Sequence, residues 1–252
     1  MITLSKPNKL FTLLCLIFVS NVLIAELIGV KIFSFEKLLD IPALNYSLLG
    51  VENINLEFTT GVLIWPIVFI LTDIINEYFG LKGVQFISGI SAIIILYVFV
   101  VIYIANELPP ASWWTFTPIE GNNFNRNIAF QTIFGQSQWI IIGSTIAFLF
   151  GQLLDALIFK KLKIILKGKN IWIRATLSTL VSQLFDSFIV LFIAFYIGDN
   201  WSFNLVMAIC IVNYLFKSVS ALILSPLIYV CQFLIDNYLG EKLASQLKNN
   251  EA

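Results

Sequence analysis

The stretch that decides the fold runs from residue 58 to residue 105 and reads FTTGVLIWPIVFILTDIINEYFGLKGVQFISGISAIIILYVFVVIYIA. It contains two apolar segments, 58–79 and 84–105, and each is close to the 20 residues that a helix needs to cross a bilayer. The link between them, GLKG, is rich in glycine and too short for a structured loop. The stretch therefore predicts two antiparallel transmembrane helices joined by a tight turn.

The rest of the chain has the same apolar character. Of its 252 residues, 59% are hydrophobic and only 12% are charged, whereas about a quarter of the residues in a soluble domain are charged. We therefore predict an all-α polytopic membrane protein, with a single integral membrane domain over residues 1–252 and no attached soluble domain. The six predicted transmembrane helices cover 11–33, 58–79, 84–105, 137–159, 172–198 and 203–233.

Basic residues are distributed unevenly among the segments that flank and join these helices. Eleven of the 15 Lys and Arg residues fall on one side of the predicted bundle and three on the other, while Lys217 lies inside a span. The positive-inside rule places the richer side in the cytoplasm, together with both termini. The basic cluster from Lys160 to Arg174 then serves as a topology anchor. No nucleic-acid partner is predicted, because no nucleic-acid-binding signature accompanies the cluster.

The composition also restricts the chemistry. The chain contains no histidine, and its three cysteines form no CxxC pair. This excludes a Ser-His-Asp triad, a Cys-His pair and the usual zinc sites that contain histidine. We predict neither a cofactor nor a metal nor an enzymatic activity. The one enzymatic alternative that stays open is an intramembrane reaction at a pair of carboxylates.

Ionisable side chains inside the apolar segments are the candidate substrate-binding or coupling residues. On insertion scales, a charge at the bilayer centre costs roughly 2.5 to 3.5 kcal/mol, so such residues usually pair with one another or face a polar cavity. Seven residues qualify: Glu26, Asp73, Glu77, Asp155, Arg174, Asp186 and Lys217.

Spacing predicts how most of these residues pair. Asp186 and Lys217 fall at similar depth in neighbouring antiparallel helices, which predicts a salt bridge between them. Asp155 and Arg174 both lie near the cytoplasmic ends of adjacent spans, and we expect a structural ion pair there. Glu26, in the outer half of the first span, is expected to line an outward-facing vestibule.

Asp73 and Glu77 lie four residues apart, so both project from one face of a helix. Pro66, in the same span, removes a backbone hydrogen bond, and such breaks in membrane helices often occur at cavities. A functional site and a hydrated position near the cytoplasmic interface are both open interpretations of this acidic face.

Four segments carry a resemblance to a known family: PIVFILTDIINEYFG (66–80), GQLLDALIFKKLK (151–163), RATLSTLVSQLFDSFI (174–189) and YLFKSVSALILSPLIYV (214–230). Together they resemble the queuosine precursor transporters of the vitamin uptake transporter family, over about residues 11–240. The resemblance implies a bacterial inner-membrane protein with six spans that imports 7-deazaguanine precursors for tRNA modification. It also implies a fold similar to that of energy-coupling-factor substrate subunits, without an obligate ATPase.

The implied passenger suggests a role for the acids. A guanine-like edge presents an N1 hydrogen and an exocyclic amine side by side, and one carboxylate can accept both. We therefore expect Asp73 and Glu77 to read this edge. The predicted partners are the 7-deazaguanine and the lipid bilayer, and the sequence is compatible with a homo-oligomer. A substrate-binding subunit that needs an energy-coupling partner and an intramembrane carboxylate enzyme are the alternatives.

Overall fold

The computed structural model describes residues 5–119, 122–135 and 138–250 and is mainly helical, as predicted. Its helices, in chain order, are α1 (Lys6–Ile28), α2 (Phe35–Leu38), α3 (Trp65–Glu107), α4 (Ser112–Thr115), α5 (Arg126–Phe134), α6 (Gln138–Ile165), α7 (Ile171–Leu191), α8 (Phe203–Leu224), α9 (Leu227–Leu239) and α10 (Glu241–Asn250). A 3-10 turn (Thr60–Leu63) precedes α3, and a π-helix (Phe192–Gly198) extends α7.

Within the described part of the chain, five helical stretches are long and apolar enough to cross a membrane. One of them, α3, has 43 residues and would be about 65 Å long if straight, roughly twice the thickness of the hydrocarbon core. The polytopic all-α class is therefore confirmed, while the count of six crossings stays a prediction. The predicted start of the fourth span, residue 137, lies outside the described residues.

Helix α3 turns back on itself at Gly80. This residue has φ 66° and ψ −175°, a conformation that favours glycine because it has no Cβ. A Cβ built on Gly83 would lie only 3.4 Å from Cγ2 of Ile75, eight residues earlier, whereas a straight helix would separate the two positions by about 12 Å. The predicted tight turn is therefore present, although the helix begins later than the predicted span, at Trp65, with Pro66 in its first turn.

The last predicted span, 203–233, is wrong as one continuous helix, because the structure breaks it into α8 and α9. The break follows from Pro226, which has no N–H with which to continue the hydrogen bonding of α8. The Ser225 hydroxyl donates to the Leu222 carbonyl at 2.9 Å. It thereby satisfies the oxygen to which the N–H of residue 226 would bond in a continuous helix.

Short antiparallel strand pairs, two of them β-hairpins, cover one end of the bundle. They pair β1 (Ile32–Ser34) with β4 (Glu57–Thr59), β2 (Tyr46–Leu48) with β3 (Val51–Ile54), and β5 (Phe116–Ile119) with β6 (Asn122–Asn125). The Glu36 carboxylate fixes the first loop by accepting from the Leu56 amide at 2.6 Å and from the Ser34 hydroxyl at 3.1 Å. We call this end of the molecule the hairpin end.

The first and last helices, α1 and α10, bring both ends of the described chain to the opposite end of the molecule, which we call the terminal end. The Lys6 ammonium donates to the Tyr238 carbonyl at 3.2 Å, and the Lys163 ammonium donates to the Lys248 carbonyl at 2.8 Å. These contacts bring α1, α6, α9 and α10 together. Helix α10 packs its apolar face, which includes Ala244, against the core.

Helices α6 and α7 approach each other closely through small residues. A Cβ on Gly143 would lie 3.1 Å from the Val190 carbonyl oxygen, and one on Gly151 would lie 3.6 Å from Cβ of Asp186. Small side chains allow such contact between membrane helices. This packing sets Asp186 against α6 and positions it toward the space between the helices.

Candidate functional site

A cavity of about 420 Å³ opens among the helices just below the hairpins, within the range of roughly 300 to 1,000 Å³ that is typical of small-molecule sites. Strand residues Ile32 and Thr59 line its upper part, which places it toward the hairpin end. Polar side chains from α1, α6, α7 and α8 converge on it, among them Glu26, Ser144, Asp186, Asn213 and Lys217. We call it the hairpin-end cavity.

An ion pair forms one wall of the hairpin-end cavity. Lys217 Nζ lies 2.7 Å from Asp186 Oδ2, so the predicted salt bridge between α7 and α8 is confirmed. The two side chains keep 14% and 19% of their surface exposed, and both line the cavity. A small molecule bound in the cavity would therefore contact a positively and a negatively charged side chain next to each other.

Glu26 occupies the last turn of α1 and also lines the hairpin-end cavity, while the outward-facing position expected for it stays a prediction. Its carboxyl group lies within hydrogen-bonding reach of the Ser144 hydroxyl and feels the charges of Asp186 and Lys217. The cavity thus collects three of the seven candidate residues from three different helices.

Aromatic rings complete the cavity, and the sequence gives little indication of which ones. Trp65, at the start of α3, and Phe195, in the π-helix, both line it. The Trp65 ring is held by Phe69 and Phe148, with ring centroids 6.3 and 6.0 Å away. The only signal for Trp65 is its place beside Pro66 at a helix start, and nothing in the sequence distinguishes Phe195 among 23 phenylalanines.

Asp73 lies deeper, in a polar seam between α3 and α6. The seam includes a hydrogen bond of 2.6 Å between the side chains of Thr72 and Gln152. The Asp73 carboxyl group is in hydrogen-bond contact with that of Asp155, and the residues are only 2% and 0% exposed. Asp155 also accepts from the Ser182 hydroxyl at 3.1 Å. Two acids that the sequence places 82 residues apart therefore meet inside the bundle.

Glu77, one turn further along α3, belongs to an ion cluster near the terminal end. Its two carboxylate oxygens accept from the Arg174 guanidinium at 2.8 and 3.3 Å, and the Lys163 ammonium lies 3.4 Å away. Arg174 also donates to the Gly168 carbonyl at 3.3 Å and stacks over the Phe159 ring at 4.8 Å. We call the three charged residues, Glu77, Lys163 and Arg174, the terminal-end cluster.

The expected ion pair between Asp155 and Arg174 is wrong. Arg174 pairs instead with Glu77, which lies at the same depth. Asp155 precedes Lys163 by two helical turns and so lies about 12 Å deeper in the bundle than that member of the terminal-end cluster. Asp73 and Glu77 share a helix face, yet Asp73 contacts the carboxyl group of Asp155 and Glu77 contacts the guanidinium of Arg174.

A bundle of apolar helices that surrounds a ligand-sized cavity, with paired charges at membrane depth, has the architecture of a membrane transporter for small polar molecules. The comparison with protein families agrees. The family model described as "Putative vitamin uptake transporter" matches residues 59–231, more than half of the chain. The chain belongs to the vitamin uptake transporter family.

Three relatives are similar to the chain over most of their length. The chain is 30% identical over 191 residues to the "Probable queuosine precursor transporter" of Bacillus subtilis, covering 74% of this chain and 77% of the relative. It is 28% identical to the "Queuosine precursor transporter" of Escherichia coli, with 73% and 77% covered. It is 27% identical to the "Probable queuosine precursor transporter" of Haemophilus influenzae, with 72% and 71% covered. No solved structure gives a significant match to the chain.

Proposed function

We propose that this protein imports queuosine precursors, 7-deazaguanines such as preQ0, preQ1 or queuine, for salvage into tRNA. The names of the three relatives support this substrate class. The structural observation that carries the proposal is the hairpin-end cavity, because it joins a carboxyl group, an ion pair and aromatic walls in a space of suitable size.

The groups in the hairpin-end cavity match the edge of a 7-deazaguanine. Glu26 lines this cavity, and a carboxylate can accept the N1 hydrogen and the exocyclic amine together through its two oxygens. Lys217 can donate to the ring carbonyl oxygen. Trp65 and Phe195 supply faces against which the flat ring can pack.

In this arrangement Glu26, rather than Asp73 or Glu77, forms the hydrogen bonds to the edge of the base. Both oxygens of Glu77 already accept from Arg174. Asp73 borders a space of only about 20 Å³, which holds one water molecule and not a purine-sized ring. The proposed roles of the two α3 acids are therefore proton binding for Asp73 and closure of the terminal end for Glu77.

We also propose that the protein is a transporter without enzymatic activity. The contact between Asp73 and Asp155 brings carboxyl groups from two helices together, as in an aspartic dyad. The small space beside Asp73 leaves no room for a substrate bond to reach this pair. The alternative of an energy-coupled substrate subunit predicts an ATPase that co-purifies with the protein, and its absence from gently purified material would count against that reading.

We propose further that the terminal end faces the cytoplasm of a bacterial cell and that the protein resides in the inner membrane, on the basis of the uneven basic residues. Trp113, which is 82% exposed near the hairpin end, and Lys167, which is exposed at the terminal end, allow a direct test. In a background without native cysteines, Trp113→Cys should react with an impermeant thiol reagent added to intact cells, and Lys167→Cys should not. The reverse pattern would exclude this orientation.

The function is tested in a bacterial strain that cannot make queuosine precursors and lacks its own importer. With this chain supplied and preQ1 added to the medium, queuosine should appear in tRNA. Glu26→Gln should raise the preQ1 concentration needed for half of that signal by roughly ten- to a hundredfold, because one acceptor oxygen becomes a donor.

Glu107→Gln is the matched control, since Glu107 is an exposed acid at the end of α3 away from the hairpin-end cavity. It should leave the preQ1 requirement unchanged. Unaltered salvage in Glu26→Gln at normal protein levels would contradict the assignment of Glu26. No salvage by the unmodified chain with any of the three precursors would contradict the proposed function.

A further inference from the structure

The contact between Asp73 and Asp155 has properties that a structural role alone does not require. Both residues are almost completely buried, and their carboxyl groups are in hydrogen-bond contact across the seam between α3 and α6. One oxygen of each, Asp73 Oδ1 and Asp155 Oδ2, has no donor from the described residues. Buried acceptors without a donor are rare, because leaving one unsatisfied costs about 1 to 3 kcal/mol.

Electrostatics limits the charge that this pair can carry. Two carboxylates in contact cannot both stay ionised in a medium of low dielectric constant, so one of them must hold a proton. A single shared proton also supplies the missing donor, since it turns one carboxyl group into a hydrogen-bond donor toward the other. The geometry therefore fits one proton and one negative charge on the pair.

Surrounding hydrogen bonds determine which residue carries the charge. Asp155 accepts from the Ser182 hydroxyl at 3.1 Å, whereas no hydrogen bond from a described residue to Asp73 Oδ1 is seen. This donor stabilises a carboxylate at Asp155. The proton therefore resides on Asp73, which borders the space of about 20 Å³ where a water molecule can exchange it.

The charged neighbours of the pair come mainly from the terminal-end cluster. Arg174 on α7 and Glu77 on α3 both act on Asp73, and they neutralise each other through their own ion pair. From α8, α9 and the link between them, the residues that close the space beside Asp73 are Ala221, Leu224, Ser225 and Ile228, none of which is ionisable. No cation compensates the pair fully at this depth among these neighbours, so its proton occupancy responds to water access.

We propose that Asp73 and Asp155 form a proton-binding site that couples transport to the proton gradient. The site binds one proton while α3 and α6 are packed together, and it releases the proton when the helices move and water reaches the seam. This inference rests on the proposed function, because a coupling site presupposes a transported substrate. It adds the energy source, for which the relatives' names give no indication.

The proton itself can be observed without any substrate. Infrared difference spectra of the purified protein in lipid, recorded between acidic and alkaline pH, should show the carbonyl stretching band of a buried carboxylic acid. This band should shift in D₂O and disappear in both Asp73→Asn and Asp155→Asn. Asp186→Asn is the control, because Asp186 pairs with Lys217 and lies outside the pair of acids, so the band should persist in this variant. A band that survives both substitutions, or its absence from the unmodified protein, would overturn the proton site.

The coupling is tested with radiolabelled preQ1 in proteoliposomes. The unmodified protein should accumulate preQ1 when the outside is more acidic than the inside, and should also exchange internal for external preQ1 without any gradient. Asp73→Asn should keep the exchange and lose the accumulation, which falls to the equilibrium distribution. Accumulation that ignores the pH gradient in the unmodified protein, or an undiminished pH response in Asp73→Asn, would overturn the coupling role.

The two measurements separate the two proposals. If the unmodified protein neither exchanges nor accumulates preQ1, queuine or preQ0, the proposed substrate is wrong, and the infrared band still decides whether the pair binds a proton. If Asp73→Asn does not fold, Asp155→Asn and the D₂O shift in the unmodified protein provide the same decision. If the pair binds a proton but transport does not depend on pH, the pair is only a structural hydrogen bond, and the coupling role is wrong.

Discussion

Helix α7 carries an ion pair near each of its ends, and the two pairs differ in their surroundings rather than in their geometry. Arg174 lies 2.8 Å from Glu77, and Asp186 lies 2.7 Å from Lys217. The first pair is 1% and 4% exposed, while Lys217 and Asp186 keep 14% and 19% of their surface accessible. Twelve residues, or about 18 Å of helix, separate a sealed pair from one that faces a cavity.

The difference follows from what covers each end. At the terminal end, Lys163 joins Glu77 to the backbone of α10, and Lys248 reaches Asp236 at 2.6 Å. At the hairpin end, short strands leave the hairpin-end cavity beside the ion pair of α7 and α8. One pair is therefore sealed among the helices, and the other faces the hairpin-end cavity.

The sealed pair should be the more costly one to break. Arg174→Ala leaves Glu77 buried with Lys163 as its remaining cationic neighbour, and removing one partner of a buried pair typically costs about 3 to 5 kcal/mol. We expect a large loss of folded protein in the membrane and a lower unfolding temperature for what remains. Fluorescence-detected size-exclusion chromatography and thermal unfolding of the purified protein measure both.

Lys169→Ala is the matched control for Arg174→Ala, because Lys169 is a basic residue of the same connection with an exposed side chain. It should leave the unfolding temperature unchanged. Adding Glu77→Gln to Arg174→Ala should restore part of the stability, since no buried charge then stays uncompensated. Equal losses in the two single basic variants would show that the terminal-end cluster does not hold the fold.

Breaking the ion pair between Asp186 and Lys217 should lower the stability less than Arg174→Ala does and should impair transport more. In Lys217→Ala, water that reaches the hairpin-end cavity can solvate Asp186, so we expect a loss of about 1 to 3 kcal/mol. Salvage of preQ1 should nevertheless fail, because the proposed donor to the base is gone. Thermal unfolding and queuosine in tRNA, measured on the same variant, separate the two effects.

A second substitution sharpens this prediction. Asp186→Asn added to Lys217→Ala should recover part of the protein level, as it removes the charge that has lost its partner, and should not recover salvage. Purely additive stability losses would indicate that the two side chains are not energetically coupled.

The smallest effect is expected at the margin of the terminal end. Lys248 and Asp236 form a short ion pair, yet their side chains are 19% and 32% exposed. Exposed pairs contribute about 0 to 1 kcal/mol, so Lys248→Ala should lower the stability by less than 1 kcal/mol. The backbone carbonyl that Lys163 contacts is unaffected by this change. A loss as large as that of Arg174→Ala would mean that burial does not rank the ion pairs.

The sequence predicts the pairing of Asp186 with Lys217 because the two residues lie on helices that are neighbours in the chain, so counting residues gives their depth. It fails for Arg174, whose partner Glu77 precedes it by 97 residues. Apolar periodicity identifies the spans and does not tell which of them pack together. The contact between Asp73 and Asp155 could not be predicted for the same reason.

Other features are hidden because their signals are short or common. The strands at the hairpin end have three or four residues each, too few for an alternating pattern to emerge. The π-helix that presents Phe195 continues an unbroken apolar run. By contrast, the turn at Gly80 is predictable, since the GLKG link separates two apolar segments that are each long enough to cross a membrane.

Because Glu77 and its partners are far apart in the sequence, Glu77 is synthesised well before the residues that pair with it. The ribosome adds roughly 5 to 20 residues per second, so about 5 to 20 seconds pass between the emergence of Glu77 and that of Arg174. Over this interval the hairpin folded at Gly80 already forms a unit long enough to enter the membrane, while its acids have none of their later partners. The acids of α3 are therefore made several seconds before the residues that pair with them.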